Sequence, residues 1–259
     1  MSHRFIFIGA GNLATRLSLE FKSKGFTIDQ VYSRSVKSAS ELANKLQADY
    51  TNSPKEISSD ADIYFVALKD AAFDTVLPQF QFQNKLLVHC SGSMPLSSLK
   101  KYSQNIGVFY PLQTFSKKRN VNFSEIPVFI EANSPENEKK LFQIAEKISH
   151  QVSALNSEKR LHVHIAAVFA CNFVNYFYSE AAQILKTQNI SFEVLKPLIM
   201  ETSRKVQEMN PDDAQTGPAV RFDENVIGKH LTALKYNQQA SKLYNSISKS
   251  IFEFHKKNS

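Results

Sequence analysis

Six short runs of β-type residues punctuate the first part of the chain: Arg4–Ile8, Gln30–Ser33, Ile63–Ala67, Leu86–His89, Ile106–Tyr110 and Val128–Ile130. Between them, Leu13–Ser23 and Ser38–Leu46 carry apolar residues at helical spacing, and Gly25 follows the first as a stop. Ser134-Pro135 followed by Glu136 and Glu138 reads as a capped start for a helix running to about Ile148. Such strand–helix alternation predicts a mostly parallel sheet covered on both faces. From about Ser157 onward the β pattern stops, and helical spacing runs through Ser157–Lys186, Ser191–Glu208 and two further helices within Glu224–Lys256. The expectation is an α/β first domain, residues 1–155, joined near Leu155 to an all-α second domain, residues 156–259.

Length and composition agree with two domains, since 259 residues is long for one core and 42 % hydrophobic with 21 % charged residues is ordinary for a globular protein. The net charge of +7 invites a nucleic-acid reading, but the cations are scattered apart from Lys117-Lys118-Arg119 and Lys256-Lys257. No nucleic-acid partner is expected from them. Cys90 and Cys171 lack the spacing of a disulfide framework, a redox pair or a metal site, so reduced thiols and no metal are expected. The N-terminal residues do not read as a signal peptide, and the most apolar stretch, Ile165–Tyr178, is short for a bilayer and contains Asn172 and Asn175. A cytoplasmic protein without membrane contact is the expectation.

Directly after the first run stands Gly9-Ala10-Gly11-Asn12-Leu13-Ala14, a G-x-G-x-x-A segment opening the first helix. In a dinucleotide-binding turn, the first glycine permits the tight bend, the second lets the backbone approach a pyrophosphate, and the small third residue allows close helix–strand packing. The pyrophosphate then meets unpaired amides at the positive end of the helix. A ligand-free glycine turn is the alternative, but the strand before, the helix after and the N-terminal position favour a Rossmann-type domain. At the end of the second strand no carboxylate is present to bind a ribose 2′-hydroxyl. Ser33, Arg34 and Ser35 stand there instead, with Lys37 nearby, which suits the 2′-phosphate of NADP better than NAD. Arg34 facing solvent without a ligand is the other reading.

Ligands of such sheets bind along the carboxyl edge of the strands. Ala67, Leu68 and Lys69 end one strand there, and His89, Ser91 and Gly92 follow another, where small residues would admit a nicotinamide. Tyr110, Gln113 and Thr114 lie in the next polar loop and are candidates for holding substrate.

Together with Thr216–Asp223 and His164–Phe173, these segments resemble the family of NADP oxidoreductases with a Rossmann-like domain and a helical domain of unknown function. The match spans nearly the whole chain. More distantly the layout is similar to pyrroline-carboxylate reductases, deazaflavin-dependent NADP reductases, prephenate dehydrogenases and β-hydroxyacid dehydrogenases. Those relatives imply hydride transfer to or from a small molecule between the domains. Phe222 departs from the family pattern, standing where a glycine is expected, which puts backbone freedom at that turn in doubt.

In the helical half, His164, Asn172 and Tyr176 fall near whole helical turns of one another beside the small pair Ala166-Ala167. An imidazole titrates near neutral pH, so His164 is the candidate for proton transfer and Asn172 for fixing the reacting atom, with a buried structural histidine as the competing reading. His162 lies on another face. Arg221 could anchor a substrate carboxylate or pair with Asp223, and His230 is a weaker candidate. Phe169, Phe173, Phe177 and Tyr178 recur at helical spacing and read as core or dimer packing, which makes a homodimer the leading assembly. The leading function is an NADP-dependent oxidoreductase acting on a small carbonyl, imine or hydroxyacid; a non-catalytic NADP-binding sensor is the alternative.

Overall fold

A computed structural model describes residues 3–82 and 84–258, and the chain forms two compact units, residues 1–172 and 173–259. The first holds β1 (Arg4–Ile8), α1 (Asn12–Ser23), β2 (Thr27–Tyr32), α2 (Val36–Leu46), β3 (Asp49–Thr51), β4 (Ile63–Val66), α3 (Phe73–Val76), β5 (Leu86–His89), β6 (Ile106–Pro111), β7 (Val128–Ala132), α4 (Pro135–Ala145), β8 (Val152–Ala154) and α5 (Ser157–Ala167). The strands form one sheet in the order β3-β2-β1-β4-β5-β6-β7-β8, parallel throughout except where β6 meets β7. The first six positions follow the doubly wound dinucleotide-binding order, whose direction of winding reverses between β1 and β4.

β1 is central, and alternation sorts its side chains onto two faces. Phe5 and Phe7 join Leu17, Phe21, Phe65 and Phe109 under α1, whereas Ile6 and Ile8 join Tyr64, Val66, Leu77 and Leu87 on the other face. All four β1 residues are fully buried. Phe21 of α1 makes ring contacts with Phe5, Phe7, Phe26, Phe65 and Phe109 at centroid separations of 5.1–6.2 Å. Those contacts lock the first helix onto the strand that ends at the glycine turn. α4 begins as its sequence predicts, with Ser134 Oγ accepting from the Asn137 amide at 3.2 Å.

Two strands escape the sequence pattern: β3 and β8 have three residues each and are largely exposed, too short to show an alternation. The first unit also extends past Leu155. α5 belongs with the sheet because Arg160, fully buried, pairs with Glu131 of β7.

The second unit contains α6 (Val174–Thr187), α7 (Lys196–Glu208), α8 (Pro211–Ala214), α9 (Glu224–Ala233) and α10 (Gln238–Asn258), and is helical as expected. The expected Ser157–Lys186 helix is interrupted by a π-helical turn at Val168–Phe173. α10 packs beside α9, where Tyr244 Oη meets His230 Nδ1 at 2.7 Å. Phe222 takes a left-handed conformation, φ 49°, and its ring lies 5.0 Å from that of Phe252, tilted by 35°. Among the described residues no helix is long and apolar enough to cross a membrane.

Candidate active site

Three backbone hydrogen bonds continue the ladder past the strand ends and gather the turns at one edge. Gly9 donates to the Tyr32 carbonyl at 2.8 Å, Ala67 to the Ile8 carbonyl at 2.9 Å, and Cys90 to the Val66 carbonyl at 3.2 Å. Gly9 has φ +118°, and a Cβ there would lie 2.4 Å from the Ala67 carbonyl oxygen. Only glycine can make this turn against β4. Ala10 and Ala14 are buried against the sheet.

Gly11 differs in kind. Its backbone is extended, φ −77°, and a Cβ built on it would meet nothing within 4 Å. The fold therefore does not need a glycine at this position, whereas a backbone-hugging diphosphate does. α1 also starts without a side-chain cap, unlike α2, α4, α5 and α9, which are capped by Ser35, Ser134, Asn156 and Asp223. The open space beside Gly11 and the uncapped amides of α1 fit a dinucleotide pyrophosphate.

At the β2 end, Arg34 is exposed and forms no ion pair or hydrogen bond among the described residues. Ser33 donates its amide to the Thr51 carbonyl at 3.2 Å, and Ser35 Oγ accepts from the Ser38 amide at 3.3 Å. Ser35 thus has a structural duty that still leaves its hydroxyl hydrogen free to be donated to a phosphate. Leu68 is half-buried against the face formed by Ile6 and Ile8, and Lys69 is exposed.

A cavity of about 360 Å³ opens beside the glycine turn, bordered by Asn12, Leu13, Asp70, Ser91, Gly92 and His164. His89 is not part of its wall. Its imidazole is fully buried, edge-on to Phe73, and its Nδ1 accepts from the Ser91 amide at 3.2 Å. Burial and the positive Arg160 hold its pKa down to about 3, so it is neutral with its hydrogen on Nε2. His89, a cofactor-binding candidate from the sequence, is buried beneath the Ser91 loop and shapes it through this bond. Ser91 Oγ accepts from the amides of Ser93 and Met94 at 3.2 and 3.1 Å, and Ser93 Oγ donates to Asp70.

Gly92 has a purpose that the sequence did not reveal. A Cβ there would lie 2.5 Å from Cγ and 2.6 Å from Nδ1 of His164. The missing side chain makes room for that imidazole, which Tyr110 holds from the other side, Oη to Nδ1, at 3.0 Å. A second cavity, about 610 Å³, is lined by Tyr110, Gln113, Thr114, His164, Cys171 and Asn172 among others. Tyr110, Gln113 and His164 border both cavities, so the Tyr110–His164 pair stands on their common wall. The π turn holds more residues per turn than an α-helix, bringing the His164–Asn172 separation closer to a whole number of turns. Tyr176 does not line this cavity; its hydroxyl accepts from Gln239 at 3.3 Å. His162 is exposed, with Nδ1 on the Glu158 carbonyl at 2.9 Å.

Beneath the pair lies a polar cluster that sequence reading missed. Arg160 Nη1 meets Glu131 at 2.5 Å, Arg160 Nη2 donates to the Met94 carbonyl at 2.6 Å, and Ser157 Oγ donates to Glu131 at 2.7 Å. Ser157 Oγ also accepts from the Leu96 amide at 2.9 Å. These bonds fix α5 and the loop after β5 to β7, one turn below His164. Burial raises the Tyr110 pKa, and the positive Arg160 partly offsets it. Arg16 likewise pins the loop after β6, donating to the carbonyls of Ser116 and Lys117 at 2.8 and 2.6 Å. In the second unit Arg221 is exposed and, among the described residues, forms no ion pair with Asp223, which instead caps α9 through the Val226 amide at 3.2 Å.

Comparison with known proteins agrees with this layout. A model described as "NADP oxidoreductase coenzyme F420-dependent" matches residues 4–92, and one for a domain of unknown function, DUF2520, matches residues 126–251. The crystal structure of a protein described as a "putative NADP oxidoreductase" from Bacteroides fragilis is 48 % identical, covering 97 % of this chain and 98 % of that one, with TM-score 0.94. A protein from Thermotoga maritima is 25 % identical, covering 97 % and 99 %, with TM-score 0.80. An imine reductase from Myxococcus stipitatus in complex with NADP+ is 15 % identical, covering 98 % and 93 %, with TM-score 0.67, a likeness of fold alone. No curated protein sequence matches the chain.

Proposed function

Because this chain belongs to the family of NADP oxidoreductases in which a Rossmann-like domain precedes a helical domain of unknown function, we propose that it is an NADP(H)-dependent enzyme transferring hydride to or from a small carbonyl, imine or hydroxyacid. The observation that carries this reading is the pairing of two features in one unit. A glycine turn leaves helix amides open to a diphosphate, and a tyrosine–histidine pair stands on the wall between that cleft and a second cavity.

Gly9, Ala10, Gly11, Asn12 and Leu13 would hold the pyrophosphate, and Ser33, Arg34 and Ser35 the 2′-phosphate. Ala67, Leu68, Lys69, Ser91 and Gly92 would border the nicotinamide half. The dinucleotide, when bound, supplies or accepts the hydride. Reduction adds hydride to the substrate carbon, shifts the π pair onto oxygen or nitrogen, and leaves that atom in need of one proton. His164 supplies the proton, and Asn172, Gln113 and Thr114 orient the reacting atom. The donor form is the imidazolium: its Nδ1–H donates to Tyr110 Oη, the proton on Nε2 goes to the substrate, and the neutral ring left behind keeps its hydrogen on Nδ1.

A homodimer is part of the proposal. Val194, Leu198 and Met200 are 59 %, 62 % and 54 % exposed on the second unit, a density of bare apolar side chains that a second copy would cover. Sedimentation at micromolar concentration should give twice the chain mass. To test the cofactor assignment, the thermal shift with NADPH should exceed that with NADH at equal concentration, and Arg34→Ala should erase the difference. Equal shifts from both cofactors would refute the NADP preference, and no shift from either would refute the enzyme.

A further inference from the structure

The lining of the second cavity carries no lysine, arginine, aspartate or glutamate. Its polar groups are the side chains of Tyr110, Gln113, Thr114, His164 and Asn172 with the Cys171 thiol, and the rest of its wall is Leu112, Val163 and three alanines, Ala166, Ala167 and Ala170. Arg160, one turn before His164, is 1 % exposed and spent on Glu131, Met94 and Ser157. A carboxylate placed here would give up its hydration for neutral donors and for His164, the one lining group able to carry a positive charge and already bonded to Tyr110, a transfer that costs more than it regains. The alanines, spaced along α5 and the π turn, add apolar surface to the wall between its polar groups.

Resting on the reductase reading above, we propose that this cavity takes an uncharged ketone or imine with an apolar body, and that it discriminates against analogues bearing a carboxylate. The polar side chains of the lining hold the C=O or C=N group by hydrogen bonds, and its alanines, Leu112 and Val163 cover the remainder. Affinity comes from apolar burial rather than from an ion pair.

Two probe pairs test this: 2-methyl-1-pyrroline against 1-pyrroline-5-carboxylate, and 2-hexanone against 5-oxohexanoate. Turnover is followed by loss of NADPH absorbance. Occupancy is followed independently of turnover through alkylation of Cys171 by iodoacetamide in the presence of NADP+, mapped by peptide mass. Cys171 lines the cavity and is half-buried, whereas Cys90 is buried and its thiol pKa is pushed up, so the two are distinguishable. The uncharged member of each pair should slow alkylation and, where turnover occurs, should show kcat/KM about tenfold or more above its carboxylate partner. Ala170→Arg, at an exposed position on the wall, should reverse the order.

Equal or better protection by the carboxylates would overturn the proposal, as would protection by neither member of either pair. If carboxylate protection were lost in Arg221→Ala, the anchor expected from the sequence would be reinstated in its place. A protein that failed to bind NADPH at all would instead remove the reductase reading on which the proposal stands.

Discussion

Substituting Gly11 by alanine separates the needs of the fold from those of the ligand. The new Cβ has no heavy atom within 4 Å, and the backbone at φ −77° and ψ −170° is open to any residue. Alanine gains about 0.4–1 kcal/mol by restricting the unfolded chain, while its much poorer capping relative to glycine takes back a comparable amount. Net stability should stay within about 0.5 kcal/mol, a shift in Tm of roughly 2 °C or less for a chain of this size. Cofactor affinity should respond differently, because the methyl group fills the space through which a diphosphate reaches the amides. Losing one charge-assisted hydrogen bond at about 1.5–3 kcal/mol weakens NADPH binding by roughly ten- to a hundredfold. The control is Gly9→Ala, whose Cβ would lie 2.4 Å from the Ala67 oxygen at φ +118°. That variant should lose stability and affinity together. Urea unfolding without ligand and a fluorescence titration with NADPH give both quantities. If Gly11→Ala binds NADPH like the parent, or unfolds as readily as Gly9→Ala, the assignment of this turn to a ligand is wrong.

Other consequences are open to measurement. Arg160→Met strands Glu131, 18 % exposed, and should cost about 3–5 kcal/mol, whereas adding Glu131→Leu should recover much of it; a double variant no better than the single in urea would contradict the ion-pair account. His89 charges near pH 6.5 when unfolded but only near 3 when folded, so between those values the unfolded chain binds more protons. Its contribution to stability is present above pH 6.5 and disappears as pH falls toward 3, at most about 5 kcal/mol over that window. Urea midpoints of the parent should therefore fall more steeply with acid than those of His89→Gln, and parallel curves would dismiss the effect. At Phe222, φ 49° favours glycine over alanine, so Phe222→Gly should exceed Phe222→Ala in stability by roughly 1 kcal/mol; both lose the Phe252 contact, and the reverse order in thermal melts would argue against a left-handed turn.

What the sequence alone determined were features written in near neighbours. An unbroken apolar run such as Phe5–Ile8 specifies a strand buried on both faces, and the glycine turn follows directly. The capped start at Ser134 was equally legible, because a hydroxyl three residues from the amide it caps is a local arrangement. The family pattern also singled out Phe222, whose backbone is left-handed. The short strands β3 and β8 were not legible, since three residues display no period and are held by their neighbours in the sheet. Tertiary structure decided which polar residues share a wall. Tyr110 and His164 are 54 positions apart, and Arg160 and Glu131 are 29 apart. It also enclosed His89, which looked available at a sheet edge, and gave Gly92 an imidazole to accommodate. Pattern encodes which face of an element is apolar, but the burial and charge of a side chain depend on what the remote chain lays over it.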